Sequence, residues 1–209
     1  MTTSDTTPDV MPAVTLSRET RETQIRVMLA MGSGRAEVDT AIPFLDHVLV
    51  TFARYAGLDL TLQARGDLRH HTIEDVAIVV GAAVARLLPA TAARYGDRTI
   101  PMDDALVHAC LDLGGRPFYQ GPLPSRLYDH WMRSFADNAR ATLHLRVLRG
   151  TDRHHIVEAG FKALGLAVRD AFVETGAVFS TKGSVSVREG SGLEESGSGE
   201  QGADGRRTT

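Results

Sequence analysis

Eight histidines stand in 209 residues, and six of them fall into matching sets. His70-His71 precedes Glu74 as His154-His155 precedes Glu158, and Asp46-His47 matches Asp129-His130, each followed after four residues by Phe-Ala. Residues four apart on a helix share a face, so His70 and Glu74 can reach one cation, as can His154 and Glu158. The adjacent histidine points about 100° away and does not easily reach the same ion. The doubled histidines therefore predict two metals, each drawing ligands from several segments. His47, His70, His71, Glu74, His130, His154, His155 and Glu158 make eight donors, or four for each of two equivalent sites. Imidazole and carboxylate without thiolate suit Mn, Fe, Co, Ni or Zn and argue against Ca or Mg. A metal that prefers more ligands than the protein supplies keeps positions open for water or substrate, which is a catalytic arrangement. His108 and His144 fall outside the repeat on strand-like stretches and read as packing or surface residues.

Cations in an open site attract anions, and Arg94, Arg116, Lys162 and Lys182 sit in apolar or Gly-rich surroundings. Lys162 lies two helical turns beyond His155, on roughly the same face. Ser180-Thr181-Lys182-Gly183 has the composition of an anion-binding turn. Spacing alone leaves these residues equally a phosphate grip or ordinary solvated charges.

The elements that must carry these groups repeat as well. The Asp-His blocks recur at an offset of 83 residues and the double-histidine blocks at 84, the signature of a duplication. Alternating stretches at 23–31, 58–63, 105–113 and 141–147 predict half-buried strands. The Asp-His blocks and the Ala-rich segments after the histidine pairs predict helices. Two α+β halves follow, over 14–98 and 99–185. The ends, 1–13 and 186–209, offer little to bury and are expected to be disordered. A formal charge of −3 provides no basic field for nucleic acid. One cysteine, Cys110, excludes an internal disulfide framework. The longest apolar run, Val76 to Ala85, is far short of the ~20 residues of a membrane span. These features, with a polar N-terminal segment, lead us to expect a soluble, cytoplasmic protein that engages neither nucleic acid nor membrane.

The motifs IPFLDH (42–47), HHTIEDV (70–76), DLGGRPF (112–118), HHIVEAGFKAL (154–164) and STKG (180–183) resemble the imidazole glycerol-phosphate dehydratase family. RETRET (18–23) and PMDDAL (101–106) extend the likeness in the family's order. The resemblance implies two Mn(II) ions per subunit, held by the eight donors named above. It implies an internally duplicated α+β fold with helices packed between outer sheets, and a homo-oligomer whose trimers form a 24-subunit shell. Substrate contacts would fall on Glu22, Arg94, Arg116, Lys162, Ser180, Thr181 and Lys182, with Glu22, His71 and His155 at the chemistry. The implied reaction eliminates water from a phosphorylated imidazole diol, using the metal-bound imidazole ring as electron sink. The chain departs from the family pattern at Thr51, where Gln is usual, and Tyr55, where His is usual. The linker before His70 is also shortened, and Asp104 stands where Glu is common. These departures motivate an alternative, a divergent member acting on a related phosphorylated imidazole or polyol. A non-catalytic metal-storage shell is disfavoured, because storage needs no phosphate grip.

Overall fold

The computed structural model describes residues 12–178. The expected disordered tail at 186–209, nearly all of the N-terminal segment and the 180–182 turn lie outside the described residues. Ala13 already belongs to the first strand.

The first half runs β1 (Ala13–Glu19), β2 (Thr23–Met31), β3 (Ala36–Asp39), α1 (Pro43–Ala56), β4 (Leu58–Gly66) and α2 (Arg69–Leu87). The second repeats it as β5 (Tyr95–Met102), β6 (Ala105–Asp112), β7 (Phe118–Gln120), α3 (Arg126–Asn138), β8 (Thr142–Arg149) and α4 (Arg153–Ala171). The two sheets have the same order, β1-β2-β4-β3 and β5-β6-β8-β7, with β3 and β7 parallel to their neighbours. β5 spans the 98/99 boundary expected from the sequence and pairs wholly within the second sheet, so that half opens at Tyr95.

Alternation drives the sheets. In β2, Thr23, Ile25, Val27 and Leu29 turn inward while Gln24, Arg26 and Met28 face out, and Ala105, Val107, Ala109 and Leu111 repeat this in β6. α1 opens with Pro43, whose missing N–H costs nothing in a first turn, and closes on Gly57 in the left-handed region at φ 69°. Leu45, Val48, Leu49 and Phe52 form its buried stripe.

The helices lie inside and pair across the halves. α2 rests on β1, β2 and β4 of its own sheet and on α3 of the other half, while α4 rests on β5, β6 and α1. Gly81 and Gly165, at equivalent repeat positions, make these crossings close. A methyl at Gly81 would lie 2.6 Å from the Phe135 carbonyl oxygen, and one at Gly165 2.8 Å from that of Phe52. Trp131, Phe52, Phe135 and Phe161 fill the space between them.

Candidate metal centre

The cross-half pairing of helices decides which histidines meet. His70 and Glu74 stand one turn apart on α2, their Nε2 and Oε2 separated by 3.4 Å, and His130 from α3 brings its Nε2 to 3.2 Å from the same oxygen. The second cluster is its image. His154 and Glu158 on α4 are 3.4 Å apart, and His47 from α1 lies 3.0 Å from Glu158 Oε2. Each Asp-His block thus completes the double-histidine block of the other half.

The aspartates of those blocks hold the helix entries. Asp46 accepts from the Thr40 N–H and hydroxyl at 2.9 and 2.6 Å, and Asp129 from the Tyr119 hydroxyl and Leu123 N–H at 2.6 and 2.9 Å. Each ties the preceding connection to its helix and so aims the next residue, the histidine. The repetition of Asp-His was itself the signal for this role.

The donor sets fit a divalent metal of intermediate hardness. His130 Nε2 is buried without a hydrogen-bond partner although the Glu74 carboxylate is 3.2 Å away, so two lone-pair atoms converge out of hydrogen-bond alignment. A cation between them satisfies both. The clusters differ in surroundings. Glu74 is 35% exposed, beside a cavity of about 460 Å³ lined by His70, His130, Arg126 and Arg133. Glu158 is 8% exposed, and its other oxygen receives Lys162 Nζ at 2.9 Å. Burial raises the pKa of Glu158, but Lys162 and His47 together outweigh it and hold the carboxyl below its ordinary value.

His71 and His155 turn to the other side of their helices, as their position next to His70 and His154 requires. His71 Nδ1 lies 2.8 Å from Asp67 and 3.6 Å from Glu22. His155 Nδ1 lies 2.8 Å from Asp104, with Nε2 3.3 Å from Asp103. The hydrogen bond to Asp67 raises the pKa of His71, and that to Asp104 does the same for His155. The Thr151 N–H first, then His155 and the Asp152 N–H, drive the Asp104 carboxyl well below the usual carboxylate range. Asp67 and Asp103 were not singled out from the sequence, and Asp104 stood out there only as a departure from the family pattern, with no partner assigned. Aligning β2 with β6 places Asp104 at the position of Glu22, which is the signal that could have found it.

The phosphate candidates are scattered within one chain. Lys162 stands at the second cluster, its Nζ also 5.9 Å from the Tyr55 ring centroid. Arg94 is at the far end of α4. Its N–H donates to Ala171, thirteen residues beyond Glu158 or ~20 Å along the helix, and its guanidinium pairs with Asp112 at 3.0 Å. Arg116 is exposed nearby, where its carbonyl accepts from Thr142 and the adjacent Gly115 faces the Arg94 guanidinium. Ser180, Thr181 and Lys182 lie outside the described residues.

A family model described as imidazoleglycerol-phosphate dehydratase matches residues 40–168. The imidazoleglycerol-phosphate dehydratase of Pyrobaculum calidifontis is 47% identical over 182 residues, covering 79% of this chain and 96% of its own. That of Salinispora tropica is 42% identical over 197 residues, covering 81% and 97%. The crystal structure of the Pyrococcus furiosus protein in complex with (S)-C348 superposes with a TM-score of 0.73 at 39% identity, covering 81% of this chain and 100% of that one. The Staphylococcus aureus structure gives 0.71 at 30% identity, covering 78% and 100%. The match spans both halves and both histidine-carboxylate clusters. With its duplicated fold and paired clusters, this chain belongs to the imidazoleglycerol-phosphate dehydratase family.

Proposed function

We infer that the chain dehydrates imidazoleglycerol phosphate to imidazole acetol phosphate in histidine biosynthesis, as a manganese-dependent lyase. The observation that carries this reading is the pair of His-His-Glu clusters, each assembled from both halves, in a chain of this family. His70, Glu74 and His130 would hold one ion, and His47, His154 and Glu158 the other. Manganese bound there would supply Lewis-acid stabilisation of negative charge on the substrate.

The remaining steps belong to the chain's own groups. Glu22, 59% exposed and 3.6 Å from His71, is placed to move a proton at its carboxylate. Lys162, Arg94, Arg116 and the 180–182 turn supply cations and donors for the phosphate. Arg94 and Arg116 lie too far along α4 from this chain's own clusters to serve them, which supports a homo-oligomer in which one copy grips a substrate bound at another's metals. His71 and His155 close the four-donor sets in the same way, from a neighbouring copy, and the 24-subunit shell of the family accommodates this. Among the described residues no helix is long and apolar enough to cross a membrane. A single, exposed free cysteine supports a cytoplasmic location.

The test is turnover of imidazoleglycerol phosphate by protein reconstituted with Mn(II), against a chelator-treated control. Metal-dependent release of the acetol phosphate with about two ions per chain is expected from two such clusters. Turnover unaffected by complete metal removal refutes the reading.

A further inference from the structure

Asp75 is only 9% exposed, yet it faces neither histidine-carboxylate cluster. It sits on α2 one turn after His71, on the same flank of the helix. Its two oxygens have separate partners: Oδ2 accepts a short hydrogen bond from the Thr23 hydroxyl, and Oδ1 pairs with Arg18 Nε at 3.1 Å. Those partners flank the turn between β1 and β2, where Glu22 is found. Within the turn, Thr20 Oγ1 receives the N–H of Glu22 at 3.1 Å and of Thr23 at 2.9 Å, and lies 3.1 Å from the Thr23 hydroxyl. The Glu22 carbonyl receives the Asp67 N–H at 3.0 Å. The backbone of Glu22 is thus fastened on both sides, while its carboxylate stays exposed beside His71.

We propose that Asp75 is a positioning residue: by gripping Thr23 and Arg18 it locks the β1–β2 turn against α2 and sets the separation of Glu22 from His71. The proposal rests on the reading of Glu22 as the proton-transferring group. The second half folds without this clamp. There Ala159 replaces Asp75 and Ala105 replaces Thr23, yet the equivalent strands and helix form, joined by a tight turn in which Asp103 takes a left-handed backbone at φ 47°. That turn is held by Asp104 itself, which accepts the N–H groups of Thr151 and Asp152 at 2.7 and 3.1 Å as well as bonding His155. A carboxylate that fastens its own turn is spent. In the first half Asp75 does the fastening, which releases the Glu22 carboxylate for chemistry.

The experiment compares Asp75→Asn, Thr23→Val, Thr23→Ser and Glu22→Gln in the manganese-loaded assembly, reading kcat, KM and metal content. A displacement of about 1 Å at a proton-transferring group costs on the order of 100-fold, so Asp75→Asn and Thr23→Val should each lower kcat by about that factor. KM and metal content should hold, and Thr23→Ser, which restores the hydroxyl, should recover most of the rate. Because both act through one contact, the double variant should be no worse than either single one. Adding Asp75→Asn to Glu22→Gln should cost nothing further. If Asp75→Asn and Thr23→Val lower only thermal stability and leave kcat intact while Glu22→Gln is inactive, the clamp is structural and the proposal is overturned alone. A rate loss that merely follows lost metal also overturns it. If Glu22→Gln turns over normally, the reading of Glu22 fails and the positioning role falls with it.

Discussion

In the first half the β1–β2 turn presents Glu22 to His71, and in the second the β5–β6 turn presents Asp104 to His155. The backbones match strand for strand, but the two carboxylates have opposite circumstances. Asp104 accepts from two backbone N–H groups and a threonine hydroxyl as well as His155, while Glu22 has His71 beyond hydrogen-bond reach at 3.6 Å. The clusters diverge similarly, since Lys162 caps the buried Glu158 whereas the equivalent position on α2 is Ile78, leaving Glu74 open. Duplication kept what packing demands, such as Gly81 and Gly165 at the helix crossings, and let polar partners specialise. A carboxylate saturated with donors is held ionised and fixes the imidazole it binds, whereas one with a single distant partner stays unclamped.

The largest effect should come from the ligands that cross between halves. His130→Asn and His47→Asn should each remove about one metal per chain and cut turnover more than the roughly 10–100-fold typical of outer-sphere changes. Metal analysis beside kinetics checks this, and loss of both ions from either variant would show that the clusters are not separate sites. Next in size is the contrast between the turn carboxylates. Glu22→Gln should cost about 10²–10⁴-fold in kcat, whereas Asp104→Asn, acting through His155, should cost roughly 10–100-fold and show mainly as weaker metal binding. Equal kcat losses with metal retained would erase the distinction.

The conserved crossings give a smaller, symmetric prediction. Gly81→Ala and Gly165→Ala should each destabilise by about 1–3 kcal/mol, because the new methyl meets backbone that cannot yield easily. Chemical denaturation measures both, and a large difference between them would mean the two crossings are not equivalent. The smallest effect concerns acid. Folding depresses the Asp104 pKa, so its stabilisation is present above the unfolded value of ~3.9 and is lost as pH falls below it. Asp104→Asn should therefore show a shallower loss of stability than the parent below about pH 4, and an identical slope would remove Asp104 from the acid response.

What the sequence alone determined is local and periodic. Four-residue spacing on a helix joins His70 to Glu74 and His154 to Glu158 whatever surrounds them, and it excludes His71 and His155 from the same face. The strands with clean alternation, β2, β4, β6 and β8, were legible for the same reason. β3 and β7, four and three residues long, are too short to show a period, and β5 carries Pro101, which an edge strand tolerates and a sequence pattern penalises. Only the tertiary structure decided that His130 joins the first half's cluster and His47 the second's. That choice depends on α2 crossing α3 and α1 crossing α4, and an apolar stripe such as that of α1 or α3 requires burial without naming the helix that covers it. The contacts of Asp104 with His155, 51 residues apart, and of Asp75 with Thr23, 52 apart, likewise exist only once sheet and helix have packed. Side-chain chemistry is written residue by residue, but which groups share a site is set by the burial of apolar faces far from them.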